Sequence, residues 1–157
     1  MGNFKEDIAK TKAFVFDVDG VMTDGTLSPT PDGDFVRRYY AKDGYAMAYA
    51  IREGYKICII SGGRGDMLRR RMELLGVERM YLNCMDKIAA INEFMSDYKL
   101  NPENVIYMGD DIPDLECMRL VGIPVCPADA CMEVIEASRY VSEFDGGRGA
   151  VRDIIEQ

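Results

Sequence analysis

The sequence predicts an α/β fold: a doubly wound parallel sheet with helices on both faces. Two observations predict it. Short apolar segments alternate with longer helix-compatible ones along nearly the whole chain, which is the rhythm of parallel strands joined by helical crossovers. The strongest apolar segments, Lys12–Phe16, Tyr55–Ile60 and Val105–Met108, run nearly continuously rather than alternating with polar residues, as strands buried on both sides do.

Met1 to Lys12 is polar and lacks the apolar core of a secretory signal, so a cytoplasmic location is expected. Lys12–Phe16 is the first strand. Thr26–Tyr40 breaks the rhythm: Pro29 and Pro31 precede Asp32-Gly33, a hairpin signal between two extended segments. Residues 26–40 are therefore expected to project as a β-hairpin inserted after the first strand, too short to form a cap domain. The predicted elements then run Gly44–Glu53 (helix), Tyr55–Ile60 (strand), Arg64–Leu75 (helix), Met80–Leu82 (short strand) and Met85–Tyr98 (helix). They continue with Val105–Met108 (strand), Asp111–Leu120 (helix), Ile123–Cys126 (strand), Ala130–Ala137 (helix), Tyr140–Val141 (strand) and Gly149–Glu156 (helix). No repeat, low-complexity tract or linker interrupts residues 1–157, which are expected to form one domain with residues 146–157 as a C-terminal tail.

Composition excludes several classes of function. The chain has 157 residues and no apolar run near the roughly 20 needed to span a bilayer. A net charge of −8 argues against nucleic acid as a partner. The five cysteines (Cys58, Cys84, Cys117, Cys126, Cys131) form no C-x-x-C pair, which leaves zinc and redox motifs unsupported. There is no histidine, so Ser-His-Asp, Cys-His and His-ligated zinc chemistry are excluded. Acid–base work near neutral pH falls to carboxylates, Lys, Tyr or Cys.

Four loci each follow a predicted strand: Asp17-x-Asp19; Ser61-Gly62; Lys87 at the start of a helix; and Gly109-Asp110-Asp111-x-x-Asp114. Each alone is common as a turn or a helix cap. In a doubly wound sheet, however, all four line the edge at which ligands bind. Bringing carboxylates together costs energy unless a cation or a shared proton relieves the repulsion, so the arrangement suggests a metal site. Oxygen ligands from Asp17, the Asp19 backbone carbonyl and Asp110 suit Mg²⁺, with Asp111 and Asp114 behind them. Asp17 is then placed to attack phosphorus and form an aspartyl-phosphate. Asp19 is placed to protonate the leaving alkoxide and to activate water afterwards. Ser61, neighbouring amides and Lys87 are expected to hold the phosphoryl oxygens. A phospho-receiver would place its acceptor acid after the third strand, whereas here Ile60 is followed by Ser61 and the acceptor candidate, Asp17, follows the first strand. An inactive regulatory domain would have no need of the intact acids.

On these motifs the chain resembles a haloacid dehalogenase superfamily phosphatase, which implies a Rossmann-like core, Mg²⁺ and an aspartyl-phosphate intermediate. Three further stretches, Lys42-Asp43-Gly44-Tyr45, Pro102-Glu103-Asn104-Val105 and Gly146-Gly147-Arg148-Gly149-Ala150-Val151-Arg152, resemble its family of 3-deoxy-D-manno-octulosonate (KDO) 8-phosphate phosphatases. That resemblance covers nearly the whole chain. It implies hydrolysis of a phosphorylated sugar acid in lipopolysaccharide precursor synthesis, and a capless subclass that assembles as a homotetramer whose hairpins and tails close neighbouring sites. It also implies that Tyr40–Gly44 and Arg71 lie at the sugar acid and that Gly146–Arg152 folds over a neighbour's pocket. Substrate contacts are thus expected from Asp19, Lys42, Asp43, Gly44, Gly62, Gly63, Arg64, Arg71, Lys87 and Arg148, the last a candidate fork for the substrate carboxylate. The family commonly has Thr-Gly-Arg where this chain reads Ser61-Gly62-Gly63-Arg64. Either Arg64 takes that arginine's role from one position later or the role is lost. A sister group acting on 2-keto-3-deoxynononate 9-phosphate carries Glu at the position of Gly63 and Lys at that of Leu74. Neither is present, which favours the octulosonate.

Overall fold

In the computed structural model, which describes residues 2–157, the polypeptide builds one six-stranded sheet and a small antiparallel hairpin. The strands of the sheet are β1 (Ala13–Phe16), β4 (Lys56–Ile60), β5 (Arg79–Tyr81), β6 (Val105–Met108), β7 (Ile123–Cys126) and β8 (Tyr140–Val141), and β2 (Ser28–Pro29) and β3 (Phe35–Val36) form the hairpin. The sheet order is β5-β4-β1-β6-β7-β8, with every pairing parallel. The chain builds outwards from β1 to β5, then returns to add β6 on the other side of β1. That reversal makes a switch point at the C-terminal end of β1, where open α/β sheets hold ligands.

Strand residues alternate between two cores, as the two-residue period of a strand requires. Phe14, Phe16, Ile57, Ile59, Ile106, Met108, Ile123 and Val125 pack with α2 (Ala41–Arg52), α3 (Asp66–Leu75) and α7 (Ala150–Glu156). Ala13, Val15, Cys58, Ile60, Val105, Tyr107 and Cys126 pack with α4 (Lys87–Asp97), α5 (Leu115–Leu120) and α6 (Met132–Ala137). This two-sided burial explains the continuous apolar strands. Cys58, Cys117 and Cys126 are buried free thiols, and burial pushes the Cys117 thiol up to about 12. No helix among the described residues is long and apolar enough to cross a membrane.

Three local features differ from expectation. The polar N-terminus contains a short helix, α1 (Phe4–Ile8), capped by the Asn3 side chain, which accepts from the Lys5 N–H at 3.0 Å. Its Phe4 ring stacks on Tyr140 at 5.4 Å. The expected helix Asp111–Leu120 is split into a 3₁₀ turn, Ile112–Asp114, and α5. α2 begins at Ala41, so Gly44 lies inside its first turn, and a side chain at that position would collide with the Arg71 guanidinium.

Residues 146–157 are docked on their own chain. The Gly147 N–H donates to the Val21 carbonyl at 3.1 Å. α7 buries Ala150, Val151 and Ile154, and the Arg152 N–H donates to the Asp43 carboxylate at 3.0 Å. Gly146 presses on the backbone at Gly20, and a Cβ there would overlap the Gly20 carbonyl. Gly146→Ala is therefore expected to cost about 1–3 kcal/mol through overpacking, read as a lower Tm. Because the displaced segment follows Asp19, any activity carried by these strand ends should fall as well, although Gly146 lies outside the cleft over them.

Candidate active site

The site begins with β1. Its register sets Phe16 opposite Met108 of β6 and Ile59 of β4, and the Asp17 N–H donates to the Met108 carbonyl at 3.2 Å. Asp17 thus leaves the sheet beside the Gly109-Asp110 turn, and Ser61 leaves from the strand on its other side. A cleft of about 1090 Å³ opens over these strand ends, lined among others by Asp17, Asp19, Ser61, Lys87 and Asp110.

Lys87 is the first residue of α4. That helix is fixed by its cap, the Asp86 carboxylate, which accepts from the Ala89 N–H at 3.0 Å. The cap aims the Lys87 ammonium between two carboxylates: Nζ donates to Asp17 Oδ2 at 3.1 Å and to Asp114 Oδ1 at 2.9 Å. Burial alone would lower the Lys87 pKa; the two carboxylates outweigh it and hold the ammonium charged.

Asp114 is fully occupied inside the protein. Oδ1 also accepts from the Tyr107 hydroxyl at 2.6 Å, and Oδ2 accepts from the Asp110 and Asp111 N–H groups at 3.0 and 3.4 Å. It organises the acidic turn and braces Lys87. Asp111 is spent on the turn, where its Oδ1 accepts from the Ile112 N–H at 2.8 Å.

Asp17 and Asp110 are differently placed. Asp17 Oδ1 accepts from the Val18 N–H at 2.7 Å and Oδ2 faces Lys87. Burial, with Asp114 and Asp110 nearby, raises its pKa well above the ordinary carboxylate range despite Lys87. Burial together with Asp114 and Asp111 pushes Asp110 up to about 7. Oxygens of Asp17, Asp110 and Asp114 lie within 4.8 Å of one another. Gly20 lets the backbone after Asp19 approach Asp110 closely, for any Cβ there would overlap that carboxylate. Asp17 and Asp110, with the Asp19–Gly20 backbone against them, form an all-oxygen set short of positive charge, which fits a hard divalent cation such as Mg²⁺.

Ser61 is buried, and its Oγ accepts from the Gly63 N–H at 3.0 Å. Gly62, Gly63 and Arg64 also line the cleft. The remaining sequence candidates do not line the cleft of their own chain. Asp43 is buried beneath α7, and the buried Nε of Arg71 has no partner while its guanidinium stands over the Tyr39 ring at 5.6 Å. Lys42 and Arg148 are exposed. Two residues missed by the sequence reasoning belong to the site. Tyr107 was legible only as an apolar strand residue. Arg37, from the hairpin, donates from Nε to Asp19 Oδ1 at 2.7 Å. Neither occupies a spacing that marks it.

A haloacid dehalogenase-like hydrolase model matches residues 77–154. The KDO 8-phosphate phosphatase of Yersinia pestis is 35% identical over 146 residues, covering 93% of this chain and 78% of its own. That of Escherichia coli K12 is 33% identical over 143 residues, covering 91% and 76%. The chain belongs to the KDO 8-phosphate phosphatase family of haloacid dehalogenase-like hydrolases. The fold agrees. The crystal structure of the Y. pestis family member superposes with a TM-score of 0.93 at 34% identity, covering 96% of this chain and 82% of the other. A Moraxella catarrhalis family member, solved with magnesium, phosphate and KDO, superposes with a TM-score of 0.91 at 29% identity, covering 98% and 90%.

The acidic site makes stability depend on pH. The folded-state pKa of Asp110, about 7, lies above the ordinary value of about 3.9, so protonation favours the folded state. Metal-free protein should therefore lose stability as the pH rises from about 4 through about 7. Melting in EDTA should show Tm falling across that range. Mg²⁺ should raise Tm most at pH 8, where no proton competes for the oxygens, and Asp110→Asn should flatten both responses.

Proposed function

We propose that this protein is a Mg²⁺-dependent phosphatase that hydrolyses KDO 8-phosphate to KDO and phosphate through an aspartyl-phosphate on Asp17. The observation that carries this reading is the division of labour around Lys87: one buried carboxylate, Asp114, is saturated with protein donors, while the other, Asp17, keeps an edge open to the cleft. The chemistry named for the relatives is consistent with it.

Asp17 is the nucleophile. Its Oδ2 attacks phosphorus as the ester oxygen departs, and Asp19 gives that oxygen a proton. Asp19 then takes a proton from the water that cleaves the aspartyl-phosphate. Lys87, Ser61 and the amides of Gly62 and Gly63 hold the equatorial oxygens as charge redistributes. When bound at Asp17, Asp110 and the Asp19 carbonyl, Mg²⁺ supplies charge screening between the attacking carboxylate and the phosphoryl group. The sugar acid extends towards Arg64.

We assign a homotetramer as the working assembly. Lys42 and Arg148 are exposed outside the cleft of their own chain, which suits them to a neighbour's substrate. The cleft rim carries exposed apolar side chains: Leu27 on the hairpin arm, Met85 and Ile112.

Phosphate release from KDO 8-phosphate tests the assignment. Asp17→Asn should lower kcat by more than about 10³-fold, as removal of a covalent nucleophile does. Lys87→Ala should cost about 10²- to 10³-fold. EDTA should abolish turnover and added Mg²⁺ restore it. Retained turnover in Asp17→Asn would exclude the covalent route, and a monomer in sedimentation would exclude the shared site.

A further inference from the structure

The hairpin does more than project. Its Arg37 side chain, only 3% exposed, passes inward and meets Asp19, whose side chain is 27% exposed. The contact is a fork: Nε donates to Oδ1 at 2.7 Å, and Nη2 approaches Oδ2 at 3.4 Å. Paired oxygens held by paired donors fix the plane of a carboxylate as well as its position.

The space for this fork comes from Gly63. A Cβ at position 63 would lie 2.6 Å from Arg37 Nη2 and 3.2 Å from both Asp19 Oδ2 and Ser61 Oγ. Any side chain there would displace the guanidinium. The hairpin also touches the same loop further on, with the Asp34 carboxylate packed where a Cβ of Gly65 would stand. Two glycines of the loop after β4 thus receive two charged side chains of the hairpin. Arg64, by contrast, is exposed at the cleft mouth.

We propose that Arg37 is the positioning residue of Asp19, delivering from the hairpin the guanidinium that position 63 does not carry. The inference rests on the proposed phosphatase reading, in which Asp19 protonates the leaving oxygen. Arg37 touches no reacting atom. It holds the Asp19 carboxylate towards the cleft and offsets its charge once the proton has gone to the leaving group.

The test exploits leaving groups. An alkyl phosphate needs a proton as its P–O bond breaks, whereas p-nitrophenyl phosphate does not. Arg37→Ala should lower kcat/KM for the alkyl ester by about 10²-fold, the scale of general-acid catalysis, and for p-nitrophenyl phosphate by less than about threefold. Arg37→Lys should recover only part of the loss, since an ammonium lacks the fork. Gly63→Arg alone should lower alkyl-ester turnover by collision with Arg37. Combined with Arg37→Ala it should restore turnover, because one guanidinium then occupies the vacated space. An equal loss on both esters, or no loss, overturns the inference, as does a double variant no better than Arg37→Ala. If the wild-type protein turns over neither ester, the phosphatase reading fails. Asp19 then still reports on Arg37: its side chain should leave the wild-type rotamer in crystals of Arg37→Ala or Arg37→Lys, and an unmoved Asp19 overturns the inference.

Discussion

Lys87 is one ammonium held against two buried carboxylates, and the rest of the site is arranged around that shortage of positive charge. Asp17, Asp110 and Asp114 converge where β1 and β6 end. One lysine cannot neutralise three acids out of water. The structure settles part of the excess internally, by giving Asp114 the Tyr107 hydroxyl and two backbone N–H groups. What it leaves unsettled, on Asp17 and Asp110, is an affinity for a cation. The raised pKa values of these two groups express the same fact: without a metal the cheapest remedy is a proton.

Such a cluster needs a rigid frame, because carboxylates that repel one another separate when they can. The frame is the parallel register of β1 between β4 and β6, buried on both faces, together with the capped start of α4. The latch at the other end of the chain adds to it. Gly146 and Gly147 lie against the loop from Gly20 to Asp24, and α7 is tied to α2 through the Asp43 carboxylate. Burial raises that carboxylate's pKa, and one of its oxygens has no partner. The cost of burying it is offset by fixing where two helices meet.

Much of this was legible in the sequence because it depends on local pattern. Continuous apolar runs mark strands buried twice, and residues at their ends mark the ligand edge, so Asp17, Ser61, Lys87 and Asp110 could be placed together without coordinates. The octulosonate phosphatase family was legible for the same reason, its motifs being contiguous. The misses are residues defined by distant partners. Tyr107 sits in the apolar run of β6, and nothing in that run says that its hydroxyl finds Asp114. Arg37 lies 18 residues from Asp19, across a hairpin whose angle no spacing specifies. Asp43 and Arg71 show the converse: the motif was visible, but they lie in α2 and α3, outside the cleft of their own chain. The apolar spacing of α1 was simply too short to register over five residues.

Asp17 and Asp19 show why environment, not residue type, assigns roles. They are one residue apart and chemically identical. β1 ends at Phe16, and Gly20, with φ of +88°, turns the chain sharply after Asp19, so the two side chains leave in different surroundings. Asp17 stays on the floor of the cleft, facing an ammonium and two other acids. A carboxylate so placed keeps an unprotonated oxygen only while cations balance it. Asp19 stands higher, partly open to solvent and gripped by a guanidinium from a separate segment. The difference between the two environments is made by the chain around them, and the hairpin supplies part of it through the Arg37 fork on Asp19.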